Sequence, residues 1–332
     1  MTIYDIAKMA GVNASTVSRV INGKPGCGKE KREMILALLK EYNFIPDETA
    51  RNLVNQHNNT IGILTDDLQS AHMNEAIAIL QKELLNNGYH CYIGYVKRGA
   101  ESVENGIRDL VSHKVEGALL LGMSFHDSKS VEPEIEKYMP EKPVVMVHQL
   151  GKFTRENIYV IGADETNGVR RCVELLLGRG RKNLMMIIDR GRTSAGKLKK
   201  TFEQTVAELG EGVTATVYAN VPYRGPDAES TVSSILAANP GVDGLFCTHD
   251  RIAINAIYAL QDLGRNVPGD VSVIGEDNSD LCKVCRPKLT SMDTMLQETT
   301  LLSAKTLIDV LDGKRRAHRV TLEMDVKFRD SL

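Results

Sequence analysis

Apolar residues recur at helical spacing in the first 45 residues, which predicts three short helices around a small core. The positions that share one face of the first two helices are Ile3, Ile6, Ala7, Ala10, Val17, Val20 and Ile21. Between these helices, Gly11 suits a left-handed backbone and Asn13 is placed to cap the second helix. The pattern is typical of a helix-turn-helix, whose second helix turns a polar side toward the DNA major groove. An αα-hairpin with no DNA role is the alternative.

The third predicted helix begins at Lys29 and ends before Pro46, because the residue that precedes a proline avoids helical geometry. Its apolar stripe consists of Met34, Ile35, Leu38 and Leu39. A further short helix, from Pro46 to Leu53, is too short to be stable alone. It therefore needs a partner, either its twin in a dimer or DNA.

From residue 60 onward, apolar runs of strand length alternate with helical patterns such as 74–87 and 164–177. The predicted strands are 61–64, 91–95, 117–121, 144–147, 184–188, 244–247 and 271–275. Alternation of this kind predicts an α/β body of two doubly wound lobes with parallel sheets. Ligands of such folds bind beyond the carboxyl ends of the strands, so a cleft between the lobes is the expected binding place.

Charge adds a weak indication of DNA binding. The chain carries 41 basic and 43 acidic residues, but residues 1–56 hold eight basic against six acidic ones, so the excess there is positive. No apolar run approaches the roughly 20 residues of a membrane span, and the start lacks a secretory signal. We therefore expect a cytoplasmic protein, no membrane partner, and reduced cysteines.

No metal site, cofactor or catalytic activity is expected, because no Walker loop, G-x-S-x-G or H-E-x-x-H motif is present. Cys282 and Cys285 form a lone C-x-x-C pair, for which a redox role is less favoured than an ordinary structural one. Two rival functions remain: a solute-binding protein without an output, and an α/β enzyme such as a sugar kinase or a redox enzyme.

Three sequence segments occur in order and at the right spacing in residues 3–53: I-Y-D-I-A-K-M-A-G-V, S-T-V-S-R-V-I-N-G and P-x-x-x-A-R-x-L. A match to all three by chance is improbable. The chain resembles the lactose-repressor and galactose-repressor family of bacterial transcription regulators. The resemblance implies that Ala14, Ser15 and Arg19 read bases. It implies further DNA contacts from Thr2, Tyr4, Thr16, Ser18, Asn22, Arg51 and Asn52. Leu53 would wedge into the minor groove.

The resemblance continues through the body and implies the lobes of a periplasmic sugar-binding protein. It implies a helix-turn-helix domain at 1–45, a hinge helix and linker at 46–59, and an effector and dimerisation domain at 60–332. The chain would cross between lobes near 159–162, 289–292 and 317–320. The N-lobe would hold about 60–159 and 292–318, and the C-lobe about 160–290 and 319–332.

The implied effector is a small molecule, a sugar or a sugar phosphate. Its expected binding residues are Asp66, His72, Asp164, Arg192, Lys197, His249 and Asp277. Leu198 departs from the family pattern, which commonly has an arginine there. A phosphate is suggested by residues 190–200, which hold five basic residues and no acidic one just before a helix start.

The expected partners follow from the same resemblance. A homodimer would bind a near-palindromic double-stranded operator, since the chain ends without a heptad tail that would build a tetramer. The effector would shift the protein between lobe arrangements that fit the operator differently. We expect the outcome to be repression, with activation as the alternative. A protein corepressor is the alternative to a small molecule.

Overall fold

The computed structural model of the protein describes residues 1–21, 23, 25–44, 58–97 and 99–332. The chain divides into two compact units, Met1–Asn58 and Asn59–Leu332. The expected hinge helix at 46–53 and the expected DNA contacts Asn22, Arg51, Asn52 and Leu53 lie outside the described residues. Within those residues, no helix is both long and apolar enough to cross a membrane.

The first unit contains three helices, α1 (Ile3–Met9), α2 (Ala14–Ile21) and α3 (Lys29–Glu41). Its core is formed by the buried side chains Ile6, Ala7, Ala10, Val17, Val20 and Ile35. Gly11 has φ +62°, the left-handed conformation that the tight turn between α1 and α2 requires. The carbonyl of Asn13 accepts the Thr16 amide at 2.8 Å, which begins α2. The predicted helix-turn-helix is therefore present.

The prediction that an apolar stripe of α3 packs into the core is only partly confirmed. Ile35 is fully buried, but Met34 is 52% exposed and does not reach the core. Leu38 and Leu39 are half-buried against it. The third helix therefore closes the small core mainly through one side chain.

The second unit begins with an N-lobe built on a six-stranded sheet in the order β11-β5-β4-β3-β1-β2, in which every pair is parallel. The strands are β1 (Thr60–Thr65), β2 (His90–Tyr95), β3 (Gly117–Leu121), β4 (Val144–Val147), β5 (Ile158–Ala163) and β11 (Arg319–Leu322). The helices are α4 (Ala71–Asn86), α5 (Ala100–Ser112), α6 (Ser128–Tyr138) and α12 (Leu296–Leu311). Helices α4 and α12 cover one face, and α5 and α6 cover the other.

The C-lobe has a second six-stranded sheet in the order β12-β10-β9-β8-β6-β7, parallel except for the β10–β12 pair. The strands are β6 (Asn183–Asp189), β7 (Thr214–Val221), β8 (Gly244–Cys247), β9 (Ser272–Glu276), β10 (Thr290–Asp293) and β12 (Asp325–Lys327). The helices are α7 (Glu165–Gly178), α8 (Ala195–Leu209), α9 (Ala228–Ala237), α10 (Asp250–Asp262) and α11 (Leu281–Val284). Helices α7 and α8 pack on one face, and α9 and α10 on the other.

The three crossings between the lobes lie a few residues later than expected. Strand β5 stays in the N-lobe sheet to Ala163, and β11 pairs with it in parallel rather than joining the C-lobe. The chain therefore crosses after residue 163, after 293 and after 322. The reason is that a crossing segment leaves its sheet only where the ladder of backbone hydrogen bonds ends.

Candidate functional site

The polar side of α2 is the candidate DNA-reading surface. Val17 and Val20 point into the core, whereas Ser15 and Arg19 are exposed on the opposite side and Ser18 is half-buried. An exposed polar stripe on a helix that is anchored by its apolar stripe is the geometry that fits a DNA groove.

The start of α1 adds polar groups to this unit. Thr2 and Asp5 form a capping box, in which the Asp5 carboxylate accepts from the Thr2 amide at 2.7 Å and from its hydroxyl at 2.8 Å. These hydrogen bonds hold the pKa of Asp5 below its usual value. Tyr4 is 74% exposed, so its hydroxyl is available to a phosphate. Ala14 and Thr16 are half-buried on α2.

A cavity of about 160 Å³ lies at the carboxyl ends of β1, β3, β6 and β9, where residues of both lobes meet. This is the place where parallel α/β folds bind ligands. Five of the seven expected effector residues line it: Asp66, His72, Arg192, His249 and Asp277. The other two expected residues do not.

Asp164 and Lys197 were expected to bind the effector, but they do not line the cavity. The carboxylate of Asp164 caps α7, where it accepts from the Thr166 and Asn167 amides at 3.0 and 3.1 Å. Lys197 is exposed on α8 and does not line the cavity. Leu198, beside it, is fully buried in the C-lobe core. Of the five basic residues in 190–200, Arg190 and Arg192 line the cavity and the three lysines do not.

Asp66 forms part of the N-lobe wall of the cavity. Its carboxylate accepts from the Ser124 amide and hydroxyl, both at 2.8 Å. Gly122 has φ +119°, and a Cβ at this position would collide with the Asp66 carboxylate. Glycine is therefore required for β3 and Asp66 to approach each other.

The Arg192 guanidinium contacts three carboxylates of the cavity wall. It lies 2.7 Å from the Asp189 carboxylate, 2.9 Å from that of Glu165 and 2.9 Å from that of Glu276. It also donates to the Thr248 carbonyl at 2.7 Å. Burial opposes ionisation of Asp189, but the charge of Arg192 outweighs it and leaves the pKa of Asp189 lowered. Burial raises the pKa of Glu276 to about 8 despite the same guanidinium.

Asp277 follows Glu276 and has φ +108°, a conformation that is strained for a residue with a side chain. Its carboxylate lies between two imidazoles, 3.9 Å from His72 Nδ1 and 3.8 Å from His249 Nδ1. Burial, with the charges of Asp250 and Glu276, raises the pKa of Asp277 well above its usual value. A strained acid that faces a cavity is a typical sign of a ligand site.

The imidazoles of the cavity are neutral at neutral pH. Burial lowers the pKa of His72 and of His249 to about 4, and that of His148 to about 3. His148 is held by the hydroxyls of Thr299 and Thr300 at 2.8 and 2.9 Å. A neutral imidazole offers one donor and one acceptor, which suits a ligand that carries hydroxyl groups.

Direct contacts join the two lobes at the edge of the cavity. The Asp67 carboxylate, on the N-lobe, accepts from the Tyr223 hydroxyl at 3.1 Å and pairs with the Arg224 guanidinium at 3.0 Å. Tyr223 stacks on the His249 ring with centroids 4.3 Å apart. We call Asp67, Tyr223 and Arg224 the interlobe clasp.

Several residues that line the cavity were not among those predicted from the sequence. They include Asp67, His126, His148, Glu165, Asp189, Tyr223 and Glu276. The sequence could have predicted Asp67, Asp189 and Glu276 as cavity residues, because each lies at the carboxyl end of a predicted strand. His126 and His148 gave no spacing that distinguishes them from other histidines.

The two cysteines of the C-x-x-C pair lie away from this cavity and are buried. Burial raises the pKa of both the Cys282 and the Cys285 thiol, which disfavours the reactive thiolate. Among the described residues, no group of three or more side chains is arranged to hold a metal ion.

Comparison with known proteins agrees with this architecture. Residues 2–47 match the family described as bacterial regulatory proteins, lacI family, and residues 173–332 match a periplasmic binding protein-like domain. The chain is 27% identical to an HTH-type transcriptional regulator of Lachnoclostridium phytofermentans, covering 99% of the chain and 98% of the relative. It is 26% identical to the ribose operon repressor of Halalkalibacterium halodurans, covering 94% and 91%.

A solved structure shares the fold over the whole length. The lac repressor dimer bound to operator and the anti-inducer ONPF superposes with a TM-score of 0.86 at 20% identity, covering 100% of this chain and 98% of that one. The superposition shows a shared fold, and the family is shown by the match of the head and by the regulators that match over the whole length. The chain belongs to the lacI family of bacterial regulatory proteins, as a helix-turn-helix regulator of transcription.

Proposed function

We propose that the protein is an operator-binding repressor of carbohydrate-related genes, controlled by a small polar ligand in the cavity between its lobes. The observation that carries the proposal is the exposed polar side of α2, with Ser15 and Arg19 outward and Val17 buried beneath them. The names of its relatives, among them a ribose operon repressor, support the link to carbohydrates.

The proposed ligand is a sugar rather than a sugar phosphate. Carboxylates and neutral imidazoles accept hydrogen bonds from hydroxyl groups, and both line the cavity. A phosphate would need free cations. Arg192 is already shared by Asp189, Glu165 and Glu276, which leaves Arg190 as the other guanidinium on a wall that holds six carboxyl side chains. The expectation of an anionic ligand, based on residues 190–200, is therefore not retained.

The assembly proposed is a cytoplasmic homodimer on two half-sites of a near-palindromic operator. The head would occupy 1–45, the hinge and linker 46–59, and the ligand-binding and dimerisation domain 60–332. The ligand can change operator affinity only by binding one lobe arrangement more tightly than another, which is typically worth about 1–3 kcal/mol.

The test of DNA reading uses a duplex selected from a random pool by the full-length protein. We expect Arg19→Ala to weaken binding to this duplex by about ten-fold or more, because a bidentate contact to guanine is worth about 1–3 kcal/mol. Arg108→Ala removes another exposed arginine, on α5, and serves as the matched control. Fluorescence anisotropy measures both. Equal loss in the two variants, or no enriched duplex at all, would rule the proposal out.

A further inference from the structure

We infer that the ligand of the cavity carries a protonated amine beside its hydroxyl groups, and that the Asp277 carboxylate receives the ammonium. The inference rests on the proposed function, because it narrows the ligand of the same cavity to polyhydroxylated amines. Hexosamines are the simplest sugars of this class. Three observations carry it: the charge balance of the wall, the geometry of Asp277, and buried oxygens that lack hydrogen bonds.

The wall of the cavity has more acids than cations. Six carboxyl side chains line it against the two guanidinium groups of Arg190 and Arg192. Arg192 is shared by three carboxylates, and Arg224, outside the lining, pairs with Asp67. In the described part of the chain, no ion pair joins Asp277 to a lysine or an arginine. The wall therefore lacks a cation for Asp277.

Asp277 is shaped to receive a donor from the cavity. Its side chain is 15% exposed, and the nearest basic nitrogens, His72 Nδ1 and His249 Nδ1, lie beyond hydrogen-bond distance at 3.9 and 3.8 Å. The Nδ1 atom of His249 already accepts the Arg251 amide at 3.1 Å. An ammonium has three donors, which match the two oxygens of Asp277 and the remaining acceptor on His72.

The neighbouring histidines do not supply the missing charge. Burial and the charge of Arg192 lower the pKa of His72 to about 4. The pKa of His249 is also about 4, with burial as the main cause. Both rings are therefore neutral at neutral pH. The groups whose charges act on Asp277 are Asp250, Glu276 and Asp189, which oppose its ionisation, and Arg192, which favours it. Burial and the balance of these charges raise the pKa of Asp277, and a ligand ammonium would lower it and stabilise the carboxylate form.

Buried oxygens beside Asp277 point to a ligand independently of charge. Glu276 is 1% exposed, and its Oε1 has no aligned hydrogen bond although the Arg192 guanidinium lies 2.9 Å away. The Thr294 hydroxyl, also on the cavity wall, has no hydrogen-bond partner among the described residues. Because the Arg192 guanidinium compensates Glu276, the Thr294 hydroxyl is the oxygen that a ligand hydroxyl or ammonium group would satisfy, and an unsatisfied buried oxygen is costly.

The experiment is titration calorimetry on the full-length protein with matched sugars. The probes are glucosamine, galactosamine and mannosamine, each beside its parent hexose and its N-acetyl form, which keeps the nitrogen but removes the charge. We expect at least one hexosamine to bind about ten-fold or more tightly than both of its neutral forms, because charge-assisted hydrogen bonds are stronger than neutral ones. Asp277→Asn should abolish this preference, whereas Asp262→Asn, an exposed acid at the end of α10, should keep it.

Asparagine tolerates a positive φ, and a thermal melt shows whether Asp277→Asn is folded. If it is not, the wild-type comparison of charged and neutral sugars still decides whether an amine is recognised. A neutral sugar that binds as tightly as its amine overturns the inference but leaves the proposed sugar control standing. Binding of none of the probes overturns the inference, while the Arg19 measurement tests DNA reading separately. A preference that survives Asp277→Asn overturns the role of Asp277.

Discussion

At the scale of single residues, the cavity is organised by buried groups that compensate each other. Arg192 is nearly buried, and it stays charged because Asp189, Glu165 and Glu276 surround it. Removal of a buried guanidinium leaves uncompensated carboxylates and typically costs about 3–5 kcal/mol. Arg192 is therefore as much a structural member of the cavity as a candidate ligand contact.

His148 gives a residue-scale prediction about pH. Burial lowers its pKa to about 3 in the folded chain, against about 6.5 in an unfolded one. Between these values the unfolded chain binds the extra proton, so acidification costs wild-type stability up to about 1.4 kcal/mol per pH unit through this residue. Asn suits the φ of +56° at this position and does not titrate.

We therefore expect the free energy of unfolding of the wild type to fall faster than that of His148→Asn as the pH drops below about 6.5. Urea unfolding of both proteins at pH 7.5, 6.5 and 5.5 measures the difference. The loss of the Thr299 and Thr300 hydrogen bonds adds an offset that does not depend on pH. Parallel pH profiles would contradict a neutral, buried His148.

Residue positions were predictable from the sequence where a strand end determined them. Asp66 and Asp277, which the family resemblance implied, follow β1 and β9, and both line the cavity. Lys197 was assigned from local charge, but the face that a helical residue presents depends on how the whole helix packs. Here α8 buries Leu198 and leaves Lys197 exposed.

At the scale of elements, most central strands and the edge strand β2 were predicted, whereas β5, β7, β10, β11 and β12 were not among the predicted strands. The runs at β3, β4 and β8 are wholly buried, so each is continuously apolar. The edge strand β7 is largely exposed and half-polar, and β12 has only three residues. Their pairing is set by tertiary contacts that leave little trace in local composition.

The interlobe clasp gives an element-scale prediction. The Asp67 carboxylate also accepts from the Gln69 and Ser70 amides at 2.9 and 3.0 Å, so it ties the β1–α4 loop to the C-lobe through Arg224. We expect Arg224→Ala to raise hydrogen exchange in residues 66–73 about five-fold, which corresponds to a contact of about 1 kcal/mol.

Mass spectrometry of the exchanged peptides checks this expectation in the full-length protein. Arg179→Ala, an exposed arginine at the end of α7, should leave residues 66–73 unchanged. Strand β4 is buried and should exchange slowly in both variants. Unchanged exchange of the loop in Arg224→Ala would show that the clasp does not hold the lobes together.

At the scale of the whole molecule, the chain joins a DNA-reading unit to a ligand-binding unit. The fold of both units was predicted from periodicity and confirmed. The identity of the ligand was not predicted from periodicity, because it depends on side chains at the ends of β1, β3, β6 and β9, which are far apart in sequence. The proposed control requires a ligand that favours one lobe arrangement, with a coupling of about 1–3 kcal/mol, or about 5- to 150-fold in operator affinity.

The most direct test of the central claim compares the DNA sequences that the wild type and Arg19→Gln select from a random duplex pool. If α2 reads bases through its polar side, Arg19→Gln should change or lose the preference at one base pair in each half-site and keep the others. Identical preferences in the two proteins, or a uniform loss at every position, would contradict base reading by Arg19 and with it the proposed role of α2.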